Sequence, residues 1–366
     1  MAGTRLTLRQ LNRTLLARQM LLDRQDMRPV AATEHLIALQ SQIPNPPYIG
    51  LWTRLRRFKR DQLTALLDVR EIVRAPWVRS TLHLVSAADH QRFQSVIQPA
   101  LFRGLRSFFG ARGADLDIER LLSIAKPFLE SNQPSIGALR AHLQEHEPQL
   151  NKEAMAYAVR SYLPLVQIPP SGTWGAGTRA SYTTADSWLG PADPSDLPSL
   201  FRRYLAAYGP AGIMDFQTWT GMTNLKSQLA PALADLVVYQ SESGQDMYDL
   251  PESTIAAPDS IAPIRFIPEY DNILIAHRDR SRIIPDEHRK KVFLSAGRVI
   301  GTVLIDGVVG GTWNVKKDKT SLSLYVKLFE AKPKDCLRAI EEEGSRLLQF
   351  FDDQAGSYAV AINTYD

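Results

Sequence analysis

Arg79-Ser80-Thr81-Leu82-His83-Leu84-Val85, preceded by Ile72-Val73-Arg74 and separated from it by Pro76, is where the chain first changes character. Apolar and polar residues alternate in both segments, the period of a half-buried strand. What comes before is helical in pattern. A helix is expected over residues 7–23 and a second from about Val30, after Pro29. The break Pro44-Asn45-Pro46-Pro47 follows, then helices over residues 48–58 and 61–67. Several helices closed by a small hairpin is the order of a winged helix, a helix-turn-helix backed by a β-wing.

The same grammar repeats downstream. Residues 119–129, a stretch opening at Ser135 and closing near Glu147-Pro148, and residues 151–163 read as helices. Leu165-Val166-Gln167-Ile168 and Arg179-Ala180-Ser181-Tyr182-Thr183 read as a second wing around a turn at residues 169–172. A linker at 190–198 carries three prolines. A third round then has helices over 201–208, 213–220 and 225–234, and a strand starting at Leu236. From Ile264 the pattern is mostly β, with strands expected at 264–268, 291–295, 298–306, 307–315 and 322–328. Glycines at 301, 307, 310 and 311 suit turns and bulges, and a last helix spans 335–351. The expectation is an α+β chain of three tandem winged helix-turn-helix domains, 1–112, 113–192 and 193–366, the last with a β-rich extension. The repeat is too loose at residue level to prove duplication.

Composition agrees with a folded multidomain chain. At 366 residues, with 44% hydrophobic and 22% charged, bulk disorder is excluded and two or three domains are expected. No apolar run reaches the roughly 18–20 residues of a membrane span. The single cysteine, Cys336, excludes a disulfide framework and a multi-cysteine zinc site. The net charge of +4 is unevenly spread. The first 110 residues hold 17 Lys+Arg against 7 Asp+Glu, and the other 256 hold 26 against 32. A basic first third favours a polyanionic partner, nucleic acid before anionic membrane. The N-terminal stretch, with four arginines and no acid in 22 residues, lacks a secretory signal's apolar core. Leu8, Leu11, Leu15 and Leu22 form an apolar stripe instead, so the opening helix of a folded domain in a cytoplasmic protein is expected. Arg5, Arg9 and Arg13 line up beside it, as solvated surface or as phosphate contacts.

Familiar catalytic patterns are absent: no G-x-x-x-x-G-K, H-E-x-x-H or G-x-S-x-G occurs. His142 and His146 lie one turn apart beside Glu145, but without a second ligand cluster a solvated helix face is the simpler reading, and no metal or cofactor is expected. The paired acids read as exposed charge. Leu39-Gln40-Ser41-Gln42-Ile43-Pro44 carries more. On an ideal helix Gln40 and Gln42 would sit about 200° apart. Ile43 precedes a proline and is biased away from helix, so if the helix unwinds near Ser41 an extended i,i+2 pair would share a face. Both amides would then enter one cleft; the plainer alternative is polar surface or caps.

Leu39-Gln40-Ser41-Gln42, followed by Pro46-Pro47-Tyr48-Ile49-Gly50-Leu51-Trp52-Thr53-Arg54-Leu55, resembles the winged-helix DNA glycosylases typified by the azinomycin-resistance enzyme AlkZ. The resemblance extends to Arg79–Val85 and to Pro268-Glu269-Tyr270-Asp271-Asn272 with Asp279-Arg280. It implies three winged helices in a C-shape around double-stranded DNA and excision of N7-alkylated guanine, including bulky and crosslinked adducts of genotoxic natural products. It also implies a Gln-Φ-Gln motif, Φ apolar, which falls on Gln40 and Gln42 as the catalytic pair. Ser41 departs from Φ: facing the core it is a mild defect, at an unwound helix end a cap. Gln42 is expected to position the water and Gln40 to hold Gln42 or the lesion sugar.

For DNA contacts the dense run Arg54, Arg56, Arg57, Lys59 and Arg60 comes first, then Arg278, Arg280 and Arg282, then the hairpin lysines Lys316, Lys317 and Lys319, turning at Lys317-Asp318-Lys319. Arg79 and Asn272 join them as DNA contacts from the matched blocks, with His83 and Asp271, which touch DNA or brace wing and cleft. A monomer acting on duplex DNA with an alkylated purine is expected. The competing readings are a non-catalytic winged-helix regulator, recognised by an operator preference and usually a dimer, and an RNA or anionic-surface scaffold.

Overall fold

The computed structural model describes residues 4–113, 115–177 and 179–365, and opens on a capping box. Thr7 Oγ1 accepts from the Gln10 N–H at 3.2 Å while Gln10 Oε1 accepts from the Thr7 N–H at 2.9 Å, so helix α1 (Leu8–Arg18) begins where expected. It ends earlier than expected, and Met20 turns the chain away at φ 57°. α2 (Pro29–His35), β1 (Leu39–Gln40), α3 (Pro46–Trp52), α4 (Arg60–Asp68), β2 (Ile72–Pro76) and β3 (Leu82–Ser86) follow. A 23-residue helix, α5 (Ala87–Phe109), has no counterpart in the sequence reading. Pro99 inside it removes an amide donor and argues locally against helix. Burial of Phe93, Ile97, Ala100, Leu101 and Leu105 along one face outweighs that cost.

Asp117, Ser135 and Asn151 each cap a helix with a side-chain oxygen, giving α6 (Ile118–Asn132), α7 (Ile136–His146) and α8 (Lys152–Tyr162). β4 (Leu165–Ile168), β5 (Ser181–Thr184) and α9 (Ala185–Leu189) complete this part. α10 (Leu197–Tyr208), α11 (Ile213–Thr220) and α12 (Leu225–Leu229) lead to β6 (Val237–Gln240) and β7 (Asp246–Asp249). The remainder is β8 (Arg265–Ile267), α13 (Arg289–Val292), β9 (Thr302–Ile305), β10 (Val308–Asp318), β11 (Ser321–Leu328), α14 (Lys334–Phe351) and β12 (Ser357–Thr364).

The two hairpins expected as separate wings join into one five-stranded sheet, β1-β3-β2-β4-β5, through the pair Arg74–Gln167 of β2 and β4. A second sheet runs β12-β11-β10-β9-β8, with β12 parallel to β11 and reached through α14. That last strand was not expected from sequence. Residues 291–295, expected as a strand, are instead α13 and the start of a turn, tied to sheet geometry only by a Phe293–Val299 bridge. Residues 225–234 break after α12 into a 3-10 turn containing Pro231. Gly307, at φ 80°, makes the tight β9–β10 turn. A side chain there would collide with Arg13 and Leu16.

The arginine stripe divides: Arg5 and Arg9 are exposed, whereas Arg13 is enclosed by the fold. Arg13 is buried, with its guanidinium on Asp306 and on the carbonyls of Ser260 and Asp306. Arg9 donates to the same Asp306 carboxylate at 2.9 Å and to Pro258 O at 2.7 Å. The first helix is thus clasped to the C-terminal part. One large core mixes Ile37, Val73, Trp77 and Phe93 with Phe201, Tyr204, Trp219, Ile273 and Leu274. No helix among the described residues is long and apolar enough to cross a membrane.

Candidate active site

The helix carrying the glutamine motif in sequence ends before it arrives there. α2 stops at His35, Leu36 caps it, and Ile37 adopts φ 68°. The chain then runs extended as β1, with Leu39 opposite Leu84 and Gln40 opposite His83. The Ser41 N–H donates to Leu82 O at 2.7 Å, which prolongs the pairing by one residue. Pro46 and Pro47 then start α3, where their missing N–H groups cost nothing. Gln40 therefore ends the strand and Gln42 opens the bend that follows it, and the helix unwinds at residue 36 rather than near 41.

The two amides have different surroundings. Gln40 is 8% exposed, and its Oε1 accepts from Arg79 Nη2 at 2.9 Å. The same nitrogen donates to Asn272 Oδ1 at 2.8 Å and faces His83 Nε2 at 3.4 Å, while Arg79 Nη1 donates to Trp219 O. Asn272 Nδ2 in turn donates to Ala38 O at 2.9 Å. Gln42 is exposed, with no hydrogen-bond partner for its side chain among the described residues. Gln40 thus grips Arg79, not Gln42. Ser41 is fully buried with its hydroxyl unpartnered, so it sits in the core as a polar defect and caps nothing.

Electrostatics follows from burial. Desolvation, reinforced by the Arg79 charge, lowers His83 to about 3. His83 is therefore neutral near pH 7. Its Nδ1 lies 3.0 Å from Thr81 O and carries the proton, which leaves Nε2 to accept from Arg79. Burial also lowers Arg79 to about 10, still cationic at neutral pH, and its backbone is held at φ 57°. Glu269, from the Pro268–Asn272 block, lines a small cavity with Gln40, Pro46, Pro47, Gly50 and Asn272. Burial raises its carboxyl above the usual range, against the opposing pull of Arg298.

The expected DNA contacts divide by exposure. Arg56, Arg57, Lys59, Arg278, Lys316, Lys317 and Lys319 are exposed. Some are already engaged: Arg57 pairs with Asp26 at 2.7 Å, Lys317 with Asp352 at 2.7 Å, and Lys316 lies 5.2 Å over Tyr325. The hairpin bearing these lysines turns at Lys319-Thr320, one residue later than expected. Arg280 is half-buried, 4.4 Å over the Phe293 ring.

Five residues are corrected as direct DNA contacts, because other side chains enclose them. Arg54 is 1% exposed and forms a bidentate pair with Asp271, Nη1–Oδ2 at 2.7 Å and Nη2–Oδ1 at 2.9 Å. Its remaining donors reach Gly50 O and Gln19 O. Asp271 is thereby neutralised and also accepts from Ile273 N–H. Arg282 is buried and donates to Pro210 O at 3.0 Å. His83 and Asn272 are buried around Arg79. Arg54, Asp271, His83 and Asn272 lie behind Gln40 and Arg79, and Arg282 holds Pro210 elsewhere in the fold. Sequence reasoning missed Arg74, whose guanidinium holds the Ser41 and Gln42 carbonyls. The available signal was a cation inside the apolar strand Ile72-Val73-Arg74-Ala75. No three His, Cys, Asp or Glu side chains converge among the described residues; His142 stacks on Phe128 at 3.9 Å.

The chain belongs to the AlkZ-like DNA glycosylase family: the model of "DNA glycosylase AlkZ-like" proteins matches residues 33–350. Among relatives, an "Interstrand DNA cross-link repair glycosylase" of Streptomyces sahachiroi is 26% identical over 184 residues, 47% of this chain and 48% of the relative. The match thus spans about half the length of that relative. The solved structure of Streptomyces sahachiroi DNA glycosylase AlkZ shares the fold, with a TM-score of 0.79 over 100% of both chains at 20% identity.

Proposed function

We propose that this chain is a monofunctional DNA glycosylase that excises N7-alkylguanine from duplex DNA, including bulky and crosslinked adducts. It acts as a cytoplasmic monomer built from three winged helices, about 1–112, 113–192 and 193–366, curved around the duplex. The observation that carries this reading is the asymmetric Gln40/Gln42 pair: one amide immobilised on Arg79, the other free at the surface two residues on.

N7-alkylation makes guanine a cation, so the C1′–N9 bond breaks with its electron pair passing to the base, which leaves neutral. No protonation of the leaving group is needed. An oxocarbenium-like sugar develops, and water adds to C1′ and gives its proton to solvent. Gln42 orients that water, its amide dipole set where charge develops. Gln40, held through Oε1, has its Nε2 donors left for the sugar or its phosphates. Because Gln42 is exposed, a bulky adduct need not be drawn into a tight pocket, in contrast to enzymes that flip the base. Arg56, Lys59, Arg278 and Lys319 offer phosphate contacts without a partner to displace beyond backbone or solvent.

The test is single-turnover release of N7-methylguanine from an oligonucleotide, followed by alkaline cleavage at the abasic site, repeated on a crosslinked duplex. Excision of both is expected. Absence of release from either, with retained sequence-selective duplex binding, would replace the enzyme with a regulator.

A further inference from the structure

Arg74 is a buried guanidinium with no ion-paired carboxylate among the described residues. All its recorded partners are neutral oxygens: Nε and Nη2 donate to Ser41 O at 3.0 and 2.6 Å, and Nη2 reaches Gln42 O at 3.2 Å. On the far side Nη1 donates to Gln167 Oε1 at 2.6 Å and Ser171 Oγ at 3.0 Å. Ser171 Oγ donates to Gln167 Oε1 at 2.8 Å, and Gln167 Nε2 donates to Tyr182 Oη at 2.8 Å, so the far side is itself closed. Burying a cation without a counter-ion is unfavourable, and a Leu or Met would fill the volume without that cost. What the apolar residue could not do is grip two successive carbonyls.

The same second-hairpin segment touches the motif a second time. Gly175 N–H donates to Asn45 Oδ1 at 2.8 Å, and Trp174 packs edge-on against Tyr48 at 5.6 Å. Residues 41–45, with Gln42 near their start, are therefore fastened at one end by Arg74, which Gln167 and Ser171 back, and at the other by Gly175. Gly172 allows the approach: at φ 89°, its missing Cβ would lie 2.8 Å from Arg74 Cδ.

We infer that Arg74, backed by Gln167 and Ser171 and seconded by the Asn45–Gly175 bond, is a positioning residue that sets the Gln42 amide for attack on the lesion sugar. The second hairpin thus contributes to the chemical step as well as to any grip on DNA. This rests on the glycosylase reading above. Gln42 has no side-chain anchor of its own, so its placement depends on its backbone. An error of about 1 Å in such a group costs about a hundredfold in rate.

The experiment measures the single-turnover excision rate of N7-methylguanine at saturating enzyme, the duplex Kd and the melting temperature. The proteins are the full-length wild type, Arg74→Lys, Ser171→Ala and Asn45→Ala. Lysine keeps the charge but cannot span both carbonyls and Gln167. Arg74→Lys is expected to slow excision about a hundredfold, and the two milder variants roughly tenfold, with Kd within about twofold of wild type. Repeating Arg74→Lys in a Gln42→Asn background separates positioning from folding: the second loss should largely vanish where Gln42 is already displaced. Equal losses in both backgrounds, parallel losses of Kd and rate, or wild-type rates in all variants would overturn the inference. If Arg74→Lys does not fold, Ser171→Ala and Asn45→Ala carry the same comparison. An inactive wild type would bring down the glycosylase reading itself, and this inference with it, whereas an active wild type with unimpaired variants would remove only the inference.

Discussion

Gln40 and Gln42 are two residues apart, one ending a strand and the other in the bend after it, and they belong to different kinds of structure. Gln40 is a component of the core: its carbonyl oxygen pairs Arg79, which also pairs Asn272 and faces the neutral His83. Gln42 contributes only its backbone carbonyl to the fold, and its amide is presented to solvent. The support also comes from opposite directions. The C-terminal block around Asp271-Asn272 holds the first, and the second hairpin holds the second. A motif that reads as two equivalent amides is thus one anchored group and one unpartnered, exposed group on a fixed base.

The largest effect is expected where this comparison does not apply. Arg54→Ala leaves the buried Asp271 carboxylate uncompensated and should cost about 3–5 kcal/mol of stability, read from denaturant melts, loosening the Asp271-Asn272 block behind Gln40. Gln42→Ala should lower the excision rate about 10²–10³-fold, with stability within about 0.5 kcal/mol and unchanged DNA affinity. Equal losses of rate and affinity would make Gln42 a binding residue and erase the distinction. Gln40→Ala should differ in kind: it removes a partner of a desolvated guanidinium, so a stability loss of about 1–3 kcal/mol accompanies the loss of rate. A variant as stable as wild type would show that the Arg79 contact is idle.

Acid titration tests the enclosed side. Burial lowers His83 to about 3, His277 to about 3 and His90 to about 4. All three are neutral when folded but protonate in the unfolded chain below about 6.5. Their contribution to stability is therefore complete above that pH and is lost as pH falls toward 4. The slope should be about 1.4 kcal/mol per unit for each histidine, measured as melts between pH 7 and 5. Excision should not follow a histidine titration between pH 6 and 8. The smallest effect is expected at the surface: removing Arg56, Arg57 and Lys59 together should reduce the salt dependence of DNA binding by a log–log slope of up to about 3. Arg57, already paired with Asp26, should contribute least.

Local chemistry was legible where the chain announces it. The helix starts expected at residues 7, 119, 135 and 151 fall within about two residues of those found, where Thr7, Asp117, Ser135 and Asn151 are the caps. The alternation in Leu165–Ile168 and Leu322–Leu328 gave strands. Helix α5 was hidden because Pro99 signals locally against a helix that its buried face stabilises globally. The sites were harder, since a cation carries no mark of its partner in sequence. Arg54 looks like its neighbours Arg56 and Arg57, and only the return of Asp271, 217 residues later, distinguishes it. The resemblance to known glycosylases picked out Gln40 and Gln42; neither period nor charge separates them from polar surface. Arg74 was passed over because its partners are main-chain carbonyls and two residues of a later hairpin.

The clasp of Arg9 and Arg13 on Asp306 has a consequence for how the protein is made. The first helix leaves the ribosome with a guanidinium whose partner carbonyl lies 293 residues downstream. At about 5–20 residues per second, that partner follows roughly 15–60 s later. Until then Arg13 and Leu16 lack the turn at Gly307 that packs against them. Nascent chains stalled before residue 306 should therefore be captured by chaperones and cut by proteases at their N-terminus, and those released beyond it should not.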